Sequence, residues 1–413
     1  MGSKVYGLIG RTLKHSYSVP IHRELGNSSY RLFELEPGEL APFLGREELG
    51  GVNVTIPYKR HVLQFCRHLS PEARETGSVN TILRTADGAL AGFNTDVYGL
   101  EYMARCAGIA LGGEKVLIFG SGGASQTAQY AARRSGAREV VVISRRGENN
   151  YANLSRHHDA GVLINTTPVG MYPHTGLSAV DAAPFTRCSA ILDLIYNPRR
   201  TALLMQAEAL GIPCTGGLPM LAAQAKAAAE LFLDITIDEK EIKRITGNIR
   251  LNMTNIVLVG MPGCGKNTVG ESLAALAGRA IIDVDAEIVR EAGCSIPEIF
   301  AASGEAEFRR LERKITARVG KESGKIIITG GGVVTDERNY PSLHQNGRIY
   351  HILRDLSLLP RQGRPLSERA DLEAMQRERL PLYERFHDAA VENSGTPEEA
   401  AAAIWRDFKC TFW

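Results

Sequence analysis

Three groups of residues in this chain have the types and spacing to do chemistry. The first is Ile256-Val-Leu-Val-Gly260-Met-Pro-Gly263-Cys264-Gly265-Lys266-Asn267-Thr268. The apolar run 256–259 reads as a buried strand, the small-residue loop follows, and a helical pattern starts at Lys266. A loop of this kind presents backbone N–H groups and a helix N-terminus to phosphate, and the lysine adds a positive charge. The position after that lysine calls for Ser or Thr and holds Asn267, while Thr268 lies one helical step round. Asn267 still offers an amide oxygen, a permissible hard ligand on a longer arm. In Ile281-Ile-Asp283-Val-Asp285 the pattern predicts a strand with both carboxylates on one side. Two acids beside a phosphate loop suggest one for Mg²⁺ and one for an accepting hydroxyl. Lys325–Thr329 then reads as a strand running into Gly330-Gly331-Gly332, where a ligand can approach the backbone closely.

The second group is polar and scattered over residues 1–103. Ser16 and Ser18 precede a helix expected from Ile21. Asn53 and Thr55 interrupt a strand over 52–56, with Lys59 just beyond. Asn80, Asn94 and Asp96 end two further short β-type segments. Singly, such serines are caps and such amides are turn residues. Together they can line one cleft for a molecule rich in hydroxyls. The third group begins with the strand Lys115–Phe119 and the turn Gly120-Ser121-Gly122-Gly123-Ala124-Ser125 opening a helix, the layout of a dinucleotide site. After the next strand, Glu139–Ile143, an acidic residue would bind free ribose hydroxyls. Ser144-Arg145-Arg146 stands there instead, and two guanidiniums suit a 2′-phosphate, so the cofactor expected is NADP(H). Only a short helical stretch, 151–157, separates this strand from Val162–Asn165, so one layer of the nucleotide lobe is expected to be trimmed.

These groups need a scaffold of several domains. A length of 413 residues allows two or three at about 150 residues each. Apolar content of 44%, charged content of 23% and a net charge of +2 describe an ordinary globular chain, with no push toward nucleic acid or membrane. Seven dispersed cysteines, none at CxxC spacing, point to reduced thiols and a cytoplasmic location. No apolar run reaches membrane-spanning length, no signal-peptide pattern opens the chain, and neither Met1-Gly2 nor Cys410-Thr-Phe-Trp413 fits a lipidation signal. The charged stretch 236–252 reads as a helical linker.

Residues 4–235 resemble the shikimate dehydrogenase family through His15-Ser-Tyr-Ser-Val-Pro20-Ile-His22, Asn53-Val-Thr-Ile-Pro-Tyr-Lys59, Gly77-Ser-Val-Asn80-Thr81 and Gly92-Phe-Asn-Thr-Asp96-Val-Tyr-Gly99. The resemblance implies Lys59 and Asp96 as the catalytic pair. It implies a substrate site of Ser16, Ser18, Asn53, Thr55, Asn80, Tyr196 and Gln224, with Leu194, Gly217 and Met220 beside the nicotinamide; a core position is the lesser reading of Met220. Residues 253–405 resemble shikimate kinase through the phosphate loop, Asp283-Val-Asp285, Phe308-Arg309, the triple glycine, Arg364-Pro-Leu and Arg379-Leu-Pro-Leu-Tyr383. Carried over, Gly263 to Thr268 hold ATP, Asp283 with Asn267 holds Mg²⁺, and Asp285 binds the reacting hydroxyl as base. Arg309, Arg379 and Gly330–Gly332 hold shikimate, and Arg364 comes onto the transferring phosphoryl group.

The expected architecture is α/β throughout. A substrate lobe (1–103, completed by a helix at about 218–235) and a Rossmann-like NADP lobe (104–217) precede the linker 236–252 and a P-loop domain with a parallel sheet (253–413). The expected activity is NADPH-dependent reduction of 3-dehydroshikimate followed by ATP-dependent phosphorylation of shikimate. Three alternatives stay open on the sequence: a weakened or regulatory kinase-like half because of Asn267, a P-loop kinase for another small molecule such as gluconate or a nucleoside, and a dehydrogenase that takes quinate.

Overall fold

A computed structural model describes residues 4–13, 16–358 and 369–412. The chain forms two compact units. One holds the described residues of 1–171, 177–197 and 203–246; the other holds those of 172–176, 198–202 and 247–413.

The first unit contains two sheets. Strands β1 (Val5–Gly10), β2 (Arg31–Glu34), β3 (Leu49–Val54), β4 (His68–Leu69), β5 (Thr81–Arg84) and β6 (Leu90–Phe93) form a mixed sheet of order β2-β1-β3-β5-β6-β4. Pairing is parallel around β1 and antiparallel through β5. The strands expected over 52–56, 77–81 and 92–96 are shifted: β3 stops at Val54, β5 begins at Thr81 and β6 ends at Phe93. Asn80 and Asn94 therefore sit just outside the ladder, where their amides are available for side-chain bonds.

The second sheet is wholly parallel. It comprises β7 (Lys115–Phe119), β8 (Glu139–Ile143), β9 (Val162–Asn165), β10 (Ala190–Asp193) and β11 (Cys214–Gly216) in the order β11-β10-β9-β7-β8. The order reverses between β7 and β9, and in such sheets ligands bind beyond the strand ends at that point. Only the 3₁₀ stretch Tyr151–His157 connects β8 to β9, so β8 is the edge, in accord with the expected trimmed layer. The helix Leu218–Leu233 packs against the helix Asp96–Cys106 and touches β3 and β5.

The second unit has five parallel strands: β12 (Asn255–Val259), β13 (Ile281–Asp283), β14 (Ile326–Ile328), β15 (Gly347–Leu353) and β16 (Ala389–Glu392), in the order β13-β14-β12-β15-β16. Central β12 is inaccessible to solvent from Ile256 to Val259, which is why its sequence is continuously apolar. The strand expected through Asp285 is corrected: it stops at Asp283, and a helix runs Val284–Ala292. Asp283 ends the strand by capping that helix, its Oδ1 accepting from the N–H groups of Asp285 at 2.9 Å and Ala286 at 3.2 Å. A carboxylate N-cap satisfies donors a continuing strand would leave to other partners. The two acids thus lie at a cap and in a first helical turn rather than on one strand face.

Candidate active sites

In the first unit Lys59 Nζ lies 2.6 Å from Asp96 Oδ2, and their side chains are 20% and 10% exposed. Lys59 leaves the loop after β3, and Asp96 opens the helix Asp96–Cys106 directly after β6. A network of amides and hydroxyls adjoins this pair. Asn80 Oδ1 accepts from Thr95 N at 2.7 Å, and its Nδ2 donates to Thr95 Oγ1 at 2.9 Å and to Gln224 Oε1 at 3.5 Å. Gln224 itself donates to the Leu221 carbonyl. Asn94 donates to Thr76 Oγ1, the Ser78 carbonyl and Thr127 Oγ1, tying the first sheet to the helix Gly123–Arg134 of the second.

Two expectations change here. Asn53 is 5% exposed, and its amide is spent inside the protein. Its Oδ1 accepts from Tyr30 OH at 2.7 Å, and its Nδ2 donates to Thr81 Oγ1 at 3.0 Å. It braces the Asn80–Thr81 corner rather than presenting itself to a ligand. The two serines do not serve as the N-cap of the helix Ser18–Glu24 either: Tyr17 is the capping residue, and Ser16 Oγ accepts from Ser18 N at 3.2 Å. Ser16 and Thr55 are partly exposed and Ser18 is buried.

At the switch point of the parallel sheet, Gly120 has φ +110°, and a side chain there would strike Thr166 Oγ1 at 2.6 Å. Gly122 caps the helix Gly123–Arg134 without any side-chain bond, and no acidic residue lies in its first turn. The terminus, with Ser121 and Ala124 on either side, is free to face an anion. It also lies near the Lys59–Asp96 pair, since a Cβ on Gly123 would come 3.8 Å from Lys59 Cδ. Ser144 follows β8, and Arg145 and Arg146 are exposed, as a 2′-phosphate site requires. Tyr196 meets Tyr17 edge to face, with ring centroids 5.9 Å apart, and burial raises the pKa of both phenols. Gly217 must be glycine because any Cβ would overlap the Leu194 carbonyl. Met220 is 8% exposed and belongs to the apolar cluster around Leu100, Ile118 and Leu192, so the core reading describes it.

In the second unit Gly263 and Gly265 have φ of +86° and +94°, a conformation that favours glycine. Buried Lys266 donates to the carbonyls of Gly260 at 2.8 Å and Met261 at 3.1 Å. Cys264 is buried below the loop. Asn267 Nδ2 donates to Asp283 Oδ2 at 2.8 Å, so its amide nitrogen, rather than its oxygen, faces the carboxylate. Thr268 Oγ1 donates to the Gly265 carbonyl at 2.9 Å and points away from Asp283, as its helical position implies. Asp285 Oδ1 has no hydrogen-bond partner; burial and then the neighbouring Asp283 raise its pKa, with Lys266 and Arg309 pulling the other way. Arg309 pairs with Glu312 at 2.7 Å and with Glu305 at 3.1 Å. Arg379 donates to the Gly331 carbonyl at 3.1 Å, and Tyr383 OH donates to it at 2.5 Å. Gly330 and Gly332 are held free of side chains by Asp285 and Arg309, which a Cβ would meet. Arg364 lies outside the described residues.

Several supporting residues escape a reading of the sequence. Asn165 and Asp193, both inaccessible to solvent, join at 3.0 Å across the ends of β9 and β10. Asn165 Oδ1 also accepts from Thr167 N, and Asp193 Oδ1 from Ile195 N, fixing both loops beside the nucleotide turn. Glu312 is inaccessible, its Oε1 has no partner, and burial raises its pKa. Its i,i+3 spacing from Arg309 is the available signal. Asn393, which donates to the Cys264 carbonyl at 2.7 Å, gives none.

Comparison with known proteins gives two family matches. Residues 8–82 match the shikimate dehydrogenase substrate binding domain, and residues 262–409 match shikimate kinase. The shikimate dehydrogenase (NADP(+)) of Clostridium perfringens (strain SM101 / Type A) is 34% identical over 263 residues, covering 59% of this chain and 97% of that protein. Among solved structures, a chorismate mutase/shikimate 5-dehydrogenase fusion protein from Clostridium acetobutylicum superposes with a TM-score of 0.57 at 34% identity, over 60% of this chain and 98% of that one. The Thermus thermophilus shikimate 5-dehydrogenase in complex with NADP(H) and shikimate gives 0.54 at 31% identity, over 59% and 99%.

Proposed function

We propose, from the premise that this chain belongs to the shikimate dehydrogenase family and carries a shikimate kinase domain behind it, that it catalyses two successive steps on one metabolite: reduction of 3-dehydroshikimate to shikimate, then phosphorylation of shikimate to shikimate 3-phosphate. The observation that carries the reading is the Lys59–Asp96 pair at 2.6 Å, beside the Asn80 network and an uncapped glycine turn, in the same chain as a phosphate loop that departs from its pattern at Asn267.

For the reduction, NADPH supplies a hydride to the carbonyl carbon. Arg145 and Arg146 select its 2′-phosphate, and the helix terminus at Gly122–Gly123 holds its pyrophosphate. The carbonyl oxygen becomes an alkoxide, and Lys59 stabilises that charge and gives it a proton. Asp96 keeps the ammonium oriented beforehand. Proton transfer from a positioned group is worth about 10²–10⁴-fold in rate. Ser16, Ser18, Thr55, Asn80, Tyr196 and Gln224 orient the substrate's carboxylate and hydroxyls, with Asn53 bracing Asn80.

For the phosphorylation, ATP supplies the γ-phosphoryl group, and Lys266 with the loop amides neutralises the phosphates. Arg309 and Arg379 hold the substrate carboxylate, a task for planar forks. The attacking hydroxyl forms its P–O bond as the β,γ-bridging bond breaks, and Asp285 accepts the hydroxyl proton. Asp283 and Asn267, bonded to each other at 2.8 Å, are the residues that would carry Mg²⁺. The free cysteines support a cytoplasmic setting. No helix among the described residues is long and apolar enough to cross a membrane.

One assay tests both halves: the full chain with 3-dehydroshikimate, NADPH and ATP, followed by mass. The expected product is shikimate 3-phosphate. Lys59→Ala should stop the sequence at the ketone and Lys266→Ala at shikimate. Product formation that neither change affects would refute the assignment.

A further inference from the structure

Arg354 immediately follows β15. That strand runs parallel to β12 on one side and β16 on the other, with His351 beside Val259 and Leu353 beside Glu392. Arg354 and Asn393 therefore leave the sheet at the end where β12 opens into the phosphate loop. Asn393 is 2% exposed. Its backbone N–H donates to the Leu353 carbonyl at 2.8 Å and its side chain to the Cys264 carbonyl at 2.7 Å, pinning the loop to the sheet edge. Arg354 stands beside that pin: a Cβ built on Gly265 would lie 3.4 Å from Arg354 Nη1 and would collide with the Asn393 amide.

The guanidinium is only partly exposed. Its Nε is buried with no hydrogen-bond partner, and among the described residues no carboxylate pairs with it. A guanidinium withdrawn from water needs an acceptor, because its donors cannot be neutralised by losing a proton. Gly265 beside it is the N-cap of the helix Lys266–Ala277, makes no side-chain cap bond, and holds φ +94°. The Arg354 fork therefore lies beside a helix terminus whose first backbone N–H groups have no side-chain acceptor. An anion with several oxygens satisfies both.

We infer that Arg354 is a phosphate-binding residue of the second unit, contacting the polyphosphate chain of a nucleoside di- or triphosphate held over Gly265. The inference rests on the reading of residues 253–413 as an ATP-dependent kinase and adds to it a cation from outside the phosphate loop. Lys266 acts on that chain as a point charge, whereas Arg354 can bond two oxygens at once and fix their orientation. With Asn267 in place of a hydroxyl, side-chain cations carry more of the phosphate charge.

The test is ADP binding to the full chain by calorimetry, at low and high KCl, for the parent, Arg354→Gln and Arg354→Lys. Loss of a charge-assisted contact predicts that Arg354→Gln weakens ADP about ten- to hundredfold. Arg354→Lys should lose less, because it keeps the charge without the fork. Arg354→Gln should also flatten the salt dependence of ADP affinity, since one screened charge pair is gone; a merely structural role would not do this. ADP affinity within about twofold of the parent, or a weakened affinity with unchanged salt dependence, overturns the inference. Should Arg354→Gln unfold, a parent-like ADP affinity in Arg354→Lys overturns it equally. The kinase reading fails separately, when the parent binds ADP but forms no shikimate 3-phosphate; a parent that binds no ADP overturns both.

Discussion

In the first unit the ion pair of the site and the Asn80 network are matched within the protein, and the atoms left without partners, Asn94 Oδ1 and Ser78 Oγ, are uncharged; in the second, charged groups are left over. Lys59 has Asp96 at 2.6 Å, and Asn53, Asn80, Thr81 and Thr95 share their hydrogens in one network. Against Gly330, by contrast, Asp285 Oδ1 and Glu312 Oε1 both lack partners, Lys266 turns onto its own loop carbonyls, and Arg354 Nε has no acceptor. The proposed ligands account for the difference. The ketone brings one charge, its carboxylate, to the Lys59–Asp96 cleft, so that cleft can be largely satisfied in advance, whereas the open Gly122 terminus and the exposed Arg145 and Arg146 are left for the phosphates of the proposed NADPH. A polyphosphate carries many, so its site keeps donors and acceptors in reserve. Buried groups held in reserve cost stability until the ligand arrives.

The largest expected effect breaks the matched pair. Lys59→Ala should lower NADPH-dependent reduction by about 10²–10⁴-fold, read as the loss of NADPH absorbance. Phosphorylation of supplied shikimate should stay at the parent rate. A comparable loss in both reactions would mean that the pair supports the fold of the whole chain rather than one reaction.

The reserved site should respond in the opposite sense on stability. Burial and Asp283 raise the pKa of Asp285, so the folded state holds its proton to higher pH than the unfolded chain does. The stability this gives is present below the ordinary carboxylate pKa and is lost as pH rises through the raised one. At neutral pH the buried carboxylate is therefore a net cost. Asp285→Asn should abolish shikimate phosphorylation yet raise the thermal midpoint of the second unit at pH 7, with the gain shrinking toward acid pH. The parent's phosphorylation rate should also fall on acidification at a higher pH than an ordinary aspartate would set. A lower midpoint for Asp285→Asn would show that the carboxylate is paired after all.

How far the chain can be read in advance follows the same division. The P-loop and the glycine turn are legible because local sequence sets both: an apolar run, glycines at left-handed positions, then a helix. The proposed Lys59–Asp96 pair and the amide set are legible as residues, but not as roles. Asn53 looks like a ligand-binding amide until Tyr30, just before β2, and Thr81 on β5 arrive and bond it. Asp285 is misplaced by the sequence pattern because helix capping by Asp283 competes with strand continuation, and the alternation of two acids does not reveal which wins. Asn393 is 129 residues from the loop it pins, and Arg354 is adjacent to that loop only through the β12–β15 pairing. Long-range pairing of this kind leaves no mark on the local sequence.

Within the first unit, the two arginines after β8 should matter less than the proposed catalytic pair. The double change Arg145→Ala/Arg146→Ala should raise KM for NADPH about ten- to hundredfold, the scale of lost charge-assisted bonds. KM for NADH and kcat should change little. Steady-state kinetics with both cofactors decide it, and an equal rise for both would place the arginines on a part the two cofactors share.

The smallest effect sharpens the comparison at its least usual residue. Asp283 Oδ1 caps a helix, and its Oδ2 accepts from Asn267, so both oxygens of the carboxylate expected to carry Mg²⁺ already serve the protein. Thr268 lies one helical step round from that position, and its Oγ1 donates to the Gly265 carbonyl at 2.9 Å. Asn267→Ser removes the bond to Oδ2 and supplies a hydroxyl on a shorter arm. The Mg²⁺ concentration for half-maximal phosphorylation should then fall several-fold, with the saturated rate little changed. An unchanged Mg²⁺ requirement would mean that Asn267 already does what the hydroxyl would do. A raised requirement would mean that the Asn267–Asp283 bond positions the carboxylate for the metal, which would make the second site, at this one point, as matched in advance as the first.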